Sequence, residues 1–255
     1  MDSIDRDPGT KASSDKGWTT PWLLAGGSAE DCVTQCDVRL HGDMALMTTA
    51  TCAIERHFPG ISTGILTLEL VIRSEHPTVT IDAPDSSVLK VYATDAVQAG
   101  GWAFRWHHPY AWPEVGGNTF PQFYVIDGRG RKRKGLEYTD MRVEAGIWYK
   151  VGAVLNLDTQ TWQFWVDGVQ FDALGVLGHE MTWWKNLRSL SKVRIQSIYS
   201  GKNWIDAVAI RHNGEFLAGS SFEKADGYRP DETIIGLPAP PPASGQAVQK
   251  GEQSR

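Results

Sequence analysis

Residues 147–172 read IWYKVGAVLNLDTQTWQFWVDGVQFD, a pattern that only extended backbone accommodates. Ile147, Tyr149, Val151, Ala153, Leu155 and Leu157 fall on one side of a strand and Trp148, Lys150, Gly152, Val154 and Asn156 on the other, because successive side chains of a strand point to opposite faces. Asp158, Thr159 and Gln160 form a polar turn. Beyond it Trp162, Phe164 and Val166 alternate with Thr161, Gln163 and Trp165 as far as Asp167 and Gly168, a dipeptide suited to a tight hairpin. The stretch predicts two antiparallel strands. Trp162 and Phe164 belong to their core face, and Trp165 to the opposite face, either under a loop or on a ligand surface.

The same period recurs along the chain. In residues 64–73, Leu66, Leu68, Leu70 and Ile72 alternate with Thr67, Glu69, Val71 and Arg73, so an acid and a base share the non-core side, open to solvent or to a ligand. Residues 36–40 and 45–58 read as a strand pair about a turn at 41–43, with Leu46, Thr48, Ala50, Cys52 and Ile54 on one face. Further strands are expected at 79–81, 88–93, 102–106, 120–126, 136–138, 192–199 and 203–211, with Trp204, Asp206, Val208 and Ile210 alternating in the last. Residues 18–24 are an edge strand or a segment packed over the fold, and 173–190 a long irregular loop. Many short strands with turn signals about every 8–12 residues predict an all-β fold of two packed antiparallel sheets. At 255 residues such a sandwich fits as one domain, taken as 18–236, between a polar leader over 1–17 and a proline-rich linker or tail over 237–255.

The 25 basic and 30 acidic residues are interspersed and sum to −5, which suggests neither a nucleic-acid partner nor an anionic membrane. No apolar run approaches the ~20 residues that span a bilayer. The first residues lack the basic-then-apolar order of a secretory signal, consistent with a cytoplasmic protein or with a mature extracellular or periplasmic form. Cys32, Cys36 and Cys52 are odd in number, so they cannot all pair within the chain. The 32/36 spacing allows a small loop disulfide or part of a metal site, but no Cys or His pair at zinc-like spacing follows. Small buried residues beside a strand are the favoured reading, with no metal expected. Eleven Trp exceed what one core ordinarily uses, which places some of them on a surface that stacks on a ligand.

Several segments together resemble the concanavalin A-like, laminin-G-like jelly-roll superfamily. These are Ile-Glu-Arg at 54–56, Gly-Ile-Leu-Thr-Leu-Glu-Leu at 64–70, Trp-Tyr-Lys-Val at 148–151, the hairpin of 157–168, and Ile-Asp-Ala-Val-Ala-Ile at 205–210. The resemblance implies a two-sheet jelly roll in a superfamily that includes lectins, glycan-binding modules, glycoside hydrolases, polysaccharide lyases and protein-interaction domains. Glucanase-like members carry alternating carboxylates on one strand, whereas the comparable strand here offers Glu69 alone. The alginate-lyase pattern Arg-x-Glu-Leu-Arg is matched neither at 54–56 nor at 148–150. The superfamily also implies that a structural Ca²⁺ can be present, but no acidic loop is specific enough to name its ligands, and no other cofactor is expected.

A polysaccharide or other glycan is therefore the expected partner, and a binding module without a recognisable catalytic motif the leading reading; oligomeric state is left open. Flat aromatic faces stack on sugar rings, and Arg and His donate to hydroxyls or carboxylates. Arg105, Trp106, His107, His108, Tyr110 and Trp112 form the densest candidate platform, and Trp183 and Trp184 a candidate rim. Alternation also allows Trp102, Phe104 and Trp106 to be core. The alternative is a polysaccharide lyase or glycoside hydrolase acting on an anionic glycan, with Glu69, Arg73, His107 and Tyr124 as the residues to meet, with Arg105, in one groove. The basic tip at 129–134 would favour such a substrate, although a solvated hairpin tip is its ordinary explanation. A protein-interaction or assembly module is the third class.

Overall fold

The computed structural model describes residues 17–38, 45–49, 52–75, 87–94, 101–107, 122–126, 136–142, 146–171, 181–183, 187–197 and 202–219. Among these residues the strands are β1 Leu23–Gly26, β2 Cys32–Gln35, β3 Ala45–Thr48, β4 Cys52–Ile61, β5 Ile65–Ser74, β6 Ser87–Thr94, β7 Gly101–His107 and β8 Gln122–Ile126. They continue as β9 Leu136–Arg142, β10 Trp148–Asn156, β11 Thr161–Val166, β12 Val169–Phe171, β13 Met181–Thr182, β14 Leu190–Ser197, β15 Asn203–His212 and β16 Glu215–Gly219. A seven-stranded sheet runs β1-β4-β14-β6-β7-β8-β9. A nine-stranded sheet runs β12-β11-β10-β5-β15-β3-β2, with β13 paired to β11 and β16 to β15. The pairings are antiparallel throughout. The all-β sandwich expected from the alternation is the fold.

The two sheets meet through the residues that period two assigned to the core. Leu66, Leu68, Leu70 and Ile72 of β5 and Tyr149, Val151, Ala153 and Leu155 of β10 join Ile54 and Phe58 of β4 and Val193 and Ile195 of β14 in one buried cluster. Phe123 of β8 bridges the layers, its ring 5.7 Å from Phe164 and 5.8 Å from Tyr149. Burying a side chain of this size contributes about 1.5–3 kcal/mol, so the interleaved rows are the main favourable term of the fold. The Asp167-Gly168 turn is a two-residue hairpin between Val166 and Val169, both of its residues at positive φ (46° and 78°). The Lys150 amide donates to Asp167 Oδ1 at 2.8 Å, tying the turn back to β10.

Two expectations change. Residues 45–58 are not one face of one strand pair: β3 lies in the nine-stranded sheet and β4 in the seven-stranded sheet, so the chain crosses the sandwich between them. Cys32 of β2 and Cys52 of β4 form a disulfide, which ties the two sheets together where the chain crosses. Cys36 is exposed, its Sγ 3.9 Å from Asp37 Oδ1, and the 32/36 loop disulfide does not form.

Alternation in β15 also breaks. Trp204 pairs with Arg73 and Asp206 with Val71, but the next rung pairs Ala209 with Glu69, so the strand carries a bulge. Ala207 sits at φ 46°, and Asp206 Oδ1 accepts its amide at 2.8 Å. Before the bulge Ile205 faces the core; after it Val208 and Ile210 do. Trp204 and Asp206 therefore leave the face that strict alternation gave them in common with Val208 and Ile210. β16 packs on the bulge through Gly219, at φ 108°, where a Cβ would run into the Val208 carbonyl.

Candidate functional site: the outer face of the nine-stranded sheet

The bulge gathers chemistry on the side of the nine-stranded sheet away from the core. Reading across the register, one row runs Gln170 (β12), Trp165 (β11), Gly152 (β10), Glu69 (β5), Ala209 (β15). The next holds Lys150, Val71 and Asp206, and the one beyond it Trp148, Arg73 and Trp204. On the other side of the Glu69 row lie Val154, Thr67 and Arg211. Directly opposite positions on neighbouring strands stand roughly 4.5–5.5 Å apart, so these side chains are mutual neighbours. Gly152 and Ala209 flank Glu69 with little or no side chain.

Glu69 is the centre of the face and has no solvent exposure. Lys150 Nζ lies 3.9 Å from Oε1 and Arg211 Nε 3.5 Å from Oε2, the second from a side chain that is 29% exposed. Both are ion-pair distances, and neither is a well-formed hydrogen bond. Burial pushes the Glu69 carboxyl above its ordinary range, and the Lys150 and Arg211 charges do not fully offset it. Burial likewise pushes the Lys150 ammonium below its ordinary range, against the Glu69 charge. The Arg73 guanidinium does not reach Glu69; it stacks over the Trp204 ring with Cζ 5.4 Å from the centroid.

Several buried polar atoms of this face make no hydrogen bond: both Glu69 carboxylate oxygens, Arg73 Nε, Trp165 Nε1, Gln170 Nε2 and Trp204 Nε1. Folded proteins pair the great majority of buried polar groups, because an unmade hydrogen bond costs about 1–3 kcal/mol. These stand on adjacent rows interleaved with indole rings; buried atoms without a hydrogen bond also occur away from this face, among them Trp18 Nε1, Trp22 Nε1 and Ser191 Oγ.

The residues expected to converge do not. Glu69 and Arg73 are on β5 in the nine-stranded sheet, whereas Arg105, Trp106 and His107 are on β7 and Tyr124 on β8, all in the seven-stranded sheet. By register Arg105 pairs with Lys90 and Tyr124, Trp106 with Phe123, and His107 with Gln122. The single groove of Glu69, Arg73, Arg105, His107 and Tyr124 is thus not formed: its residues come from opposite layers. Trp183 is no rim residue; it is 4% exposed within the core cluster, with its Nε1 donating to the Thr161 carbonyl at 3.0 Å. The short β13, which ends at Thr182 just before it, has no signal in a stretch that reads as irregular. His108, Tyr110, Trp112, Trp184 and the basic tip at 129–134 lie outside the described residues. Sequence reasoning did not single out Lys150, Gln170, Trp204 or Arg211 as site residues. For Lys150 the signal was present, since alternation already placed it opposite the core. Among the described residues no group of three or more His, Cys, Asp or Glu side chains is arranged to hold a metal ion.

No protein-family model matches the sequence, and no curated protein does. Solved structures do match in shape. A sialidase superposes with a TM-score of 0.51 at 13% identity over 75% of this chain, which corresponds to only 17% of the sialidase. The fold shared with it is a two-sheet antiparallel β-sandwich. Other matches are the catalytic domain of a glycoside hydrolase family 131 protein from Coprinopsis cinerea, with a TM-score of 0.47 and 10% identity over 77% of this chain and 85% of that one, and a carbohydrate-binding module from Bacillus subtilis, with a TM-score of 0.44 and 7% identity over 79% and 99%. At 13% identity the likeness to the sialidase speaks to fold alone.

Proposed function

We propose that this protein is a carbohydrate-binding jelly roll whose glycan site is the outer face of the nine-stranded sheet. The observation that carries the reading is the set of buried groups without hydrogen bonds, Glu69, Arg73, Trp165, Gln170 and Trp204, placed among indole rings. A saccharide supplies what that face lacks: hydroxyls that both donate and accept, and a C–H face that packs on an aromatic ring. The fold is compatible with the reading without deciding it. The Cys32–Cys52 disulfide supports an oxidising compartment, hence a secreted or periplasmic protein. Affinity electrophoresis through gels containing individual polysaccharides tests the proposal: retardation by at least one polymer is expected, weakened by Trp165→Ala and unchanged by Trp183→Phe. Migration unaffected by every polymer would count decisively against it.

One observation favours hydrolysis as a second reading. Asp206, also without solvent exposure, stands opposite Val71 and so lies diagonal to Glu69 on the same face. Diagonal positions of a regular sheet are roughly 7–8 Å apart at the backbone, and two carboxyl groups that act as acid and base on a glycosidic bond stand roughly 5–9.5 Å apart, the separation this reading requires of the two side chains. Glu69, its carboxyl raised by burial, takes the role of proton donor and Asp206 that of base. Release of reducing ends from a bound polysaccharide, abolished by Glu69→Gln and by Asp206→Asn, is the expected result of this reading; binding without any release removes it.

A further inference from the structure

We propose that the outer face of the seven-stranded sheet is a second binding surface, and that it takes an acidic polysaccharide. The inference goes beyond the glycan reading: it concerns the opposite layer and does not need the nine-stranded face to bind anything. Its ground is where the charges of the chain lie. The protein as a whole carries 30 acidic and 25 basic residues. The five neighbouring strands β4, β14, β6, β7 and β8 nevertheless contain a single acid, Glu55, against Arg56, Lys90, Arg105, Lys192 and Arg194. Alternation and register sort these residues. Arg56 goes inward, 1% exposed, with its guanidinium 4.8 Å over the Trp18 ring. Ile54, Val91, Ala93, Phe123, Val193 and Ile195 are core, so Glu55, Lys90, Lys192 and Arg194 hold positions of the outer face. Arg105 joins them as the register partner of Lys90.

Four cationic positions and one acidic position on adjacent strands make a face of one sign on a chain of net charge −5, and such a face concentrates counter-charge from solution. Its one carboxylate is committed within the fold. Lys192, whose side chain is 2% exposed, donates to Glu55 at 3.2 Å, and Arg194 approaches the same oxygen only to 3.7 Å. Arg194 is 21% exposed and His57, beside Glu55, 27%, so solvent reaches this part of the face. Tyrosines share the rows: Tyr92 stands opposite Arg194, and Tyr124 opposite Arg105. Cationic and aromatic positions in turn suit a polymer whose units each offer a carboxylate and a C–H face, as uronates do. Nucleic acid draws domains of high net positive charge, which this chain does not have.

Titration of the full-length protein by isothermal calorimetry against polygalacturonate, alginate, neutral β-glucan and duplex DNA, at low and at high salt, gives the readout. The wild type is expected to bind at least one uronate polymer, more weakly as salt rises. Arg105→Gln is expected to lose roughly tenfold or more on that polymer, the size of one charge-assisted hydrogen bond. Lys202→Gln, which removes the same charge at an exposed position outside the face, is expected to keep the wild-type affinity. Glu55→Gln, which leaves Lys192 and Arg194 without their carboxylate, is expected to bind several-fold more tightly, a gain that misfolding cannot produce. Binding of neutral β-glucan with no uronate bound overturns this inference and leaves the glycan reading intact, and that result needs no variant to fold. Equal losses in Arg105→Gln and Lys202→Gln, or no gain in a folded Glu55→Gln protein, also overturn it. Duplex DNA bound more tightly than either uronate assigns the face to nucleic acid instead. Binding to no polysaccharide removes the glycan reading and this inference together.

Discussion

Glu55 and Glu69 stand on the outer faces of opposite sheets, each between two cations, and the two carboxylates are held in opposite ways. Glu55 on β4 accepts a hydrogen bond from Lys192 Nζ at 3.2 Å, with Arg194 Nη1 at 3.7 Å and His57 Nε2 at 3.4 Å. Burial disfavours its ionised form, but the Lys192 and His57 hydrogen bonds and the neighbouring charges outweigh it and hold the carboxyl below its ordinary range. Glu69 has cations at comparable distance but only the long 3.5 Å approach of Arg211 Nε in place of the shorter hydrogen bond, and burial wins. A buried carboxylate whose hydrogen bonds are all made inside the protein has little left to offer a ligand. One held mainly by charge keeps more of its hydrogen-bonding capacity unused, at a cost in stability.

Stability is where the comparison breaks most easily. Glu55→Gln is expected to lose about 1.5–3 kcal/mol, the range for a hydrogen bond to a charged group, read as a lower midpoint of urea unfolding at unchanged slope. Glu69→Gln is expected to cost less than Glu55→Gln at neutral pH, because burial already penalises the ionised form it removes and Asp167 remains beside Lys150. Equal losses would make Glu69 an ordinary structural ion pair and weaken the case for its face as a site.

The same contrast holds between two indoles. Trp183 Nε1 donates to Thr161 in the core, whereas Trp165 Nε1, on the outer face of the strand that contains Thr161, makes no hydrogen bond. Phenylalanine removes the N–H from either. Trp183→Phe is expected to cost about 0.5–1.5 kcal/mol in thermal or urea unfolding with glycan affinity untouched. Trp165→Phe is expected to leave unfolding unchanged and to weaken glycan binding several-fold in calorimetric titration.

Much of the fold was legible in the sequence because alternation is a local signal. The faces of 64–73 and 147–157 read from period two are the faces in the structure, and the Asp167-Gly168 turn announces its hairpin through residues that tolerate positive φ. The site was much less legible, for two reasons. Glu69, Lys150 and Arg211 come from β5, β10 and β15, and only sheet order brings them together. The bulge at Asp206 and Ala207 then resets which side of β15 faces out, with no glycine in 203–211 to mark it. The density of aromatic residues at 102–112 drew the reading toward β7, which sheet order assigns to the other layer. A cluster in sequence is evidence of a cluster in space only within one strand or turn.

The smallest expected effect is the dependence of stability on pH, and it separates the two carboxylates by sign. A carboxyl raised above its unfolded value contributes stability below that value and loses it as pH rises through the folded one, so Glu69 favours the folded state progressively as pH falls from neutral toward about 4.5, the ordinary glutamate value. Glu55 is the reverse: its contribution is present above the ordinary value of 4.5 and is lost as pH falls below it through the depressed folded value. The stability of wild type minus that of Glu69→Gln should therefore increase between pH 7 and pH 5. Wild type minus Glu55→Gln should stay level over that interval and shrink only on further acidification. Urea midpoints of the three proteins at half-unit steps resolve the two curves. A flat curve for Glu69 would mean that Lys150 and Arg211 hold its charge as firmly as Lys192 holds that of Glu55, and the carboxylate proposed to meet a ligand would then already be satisfied within the fold.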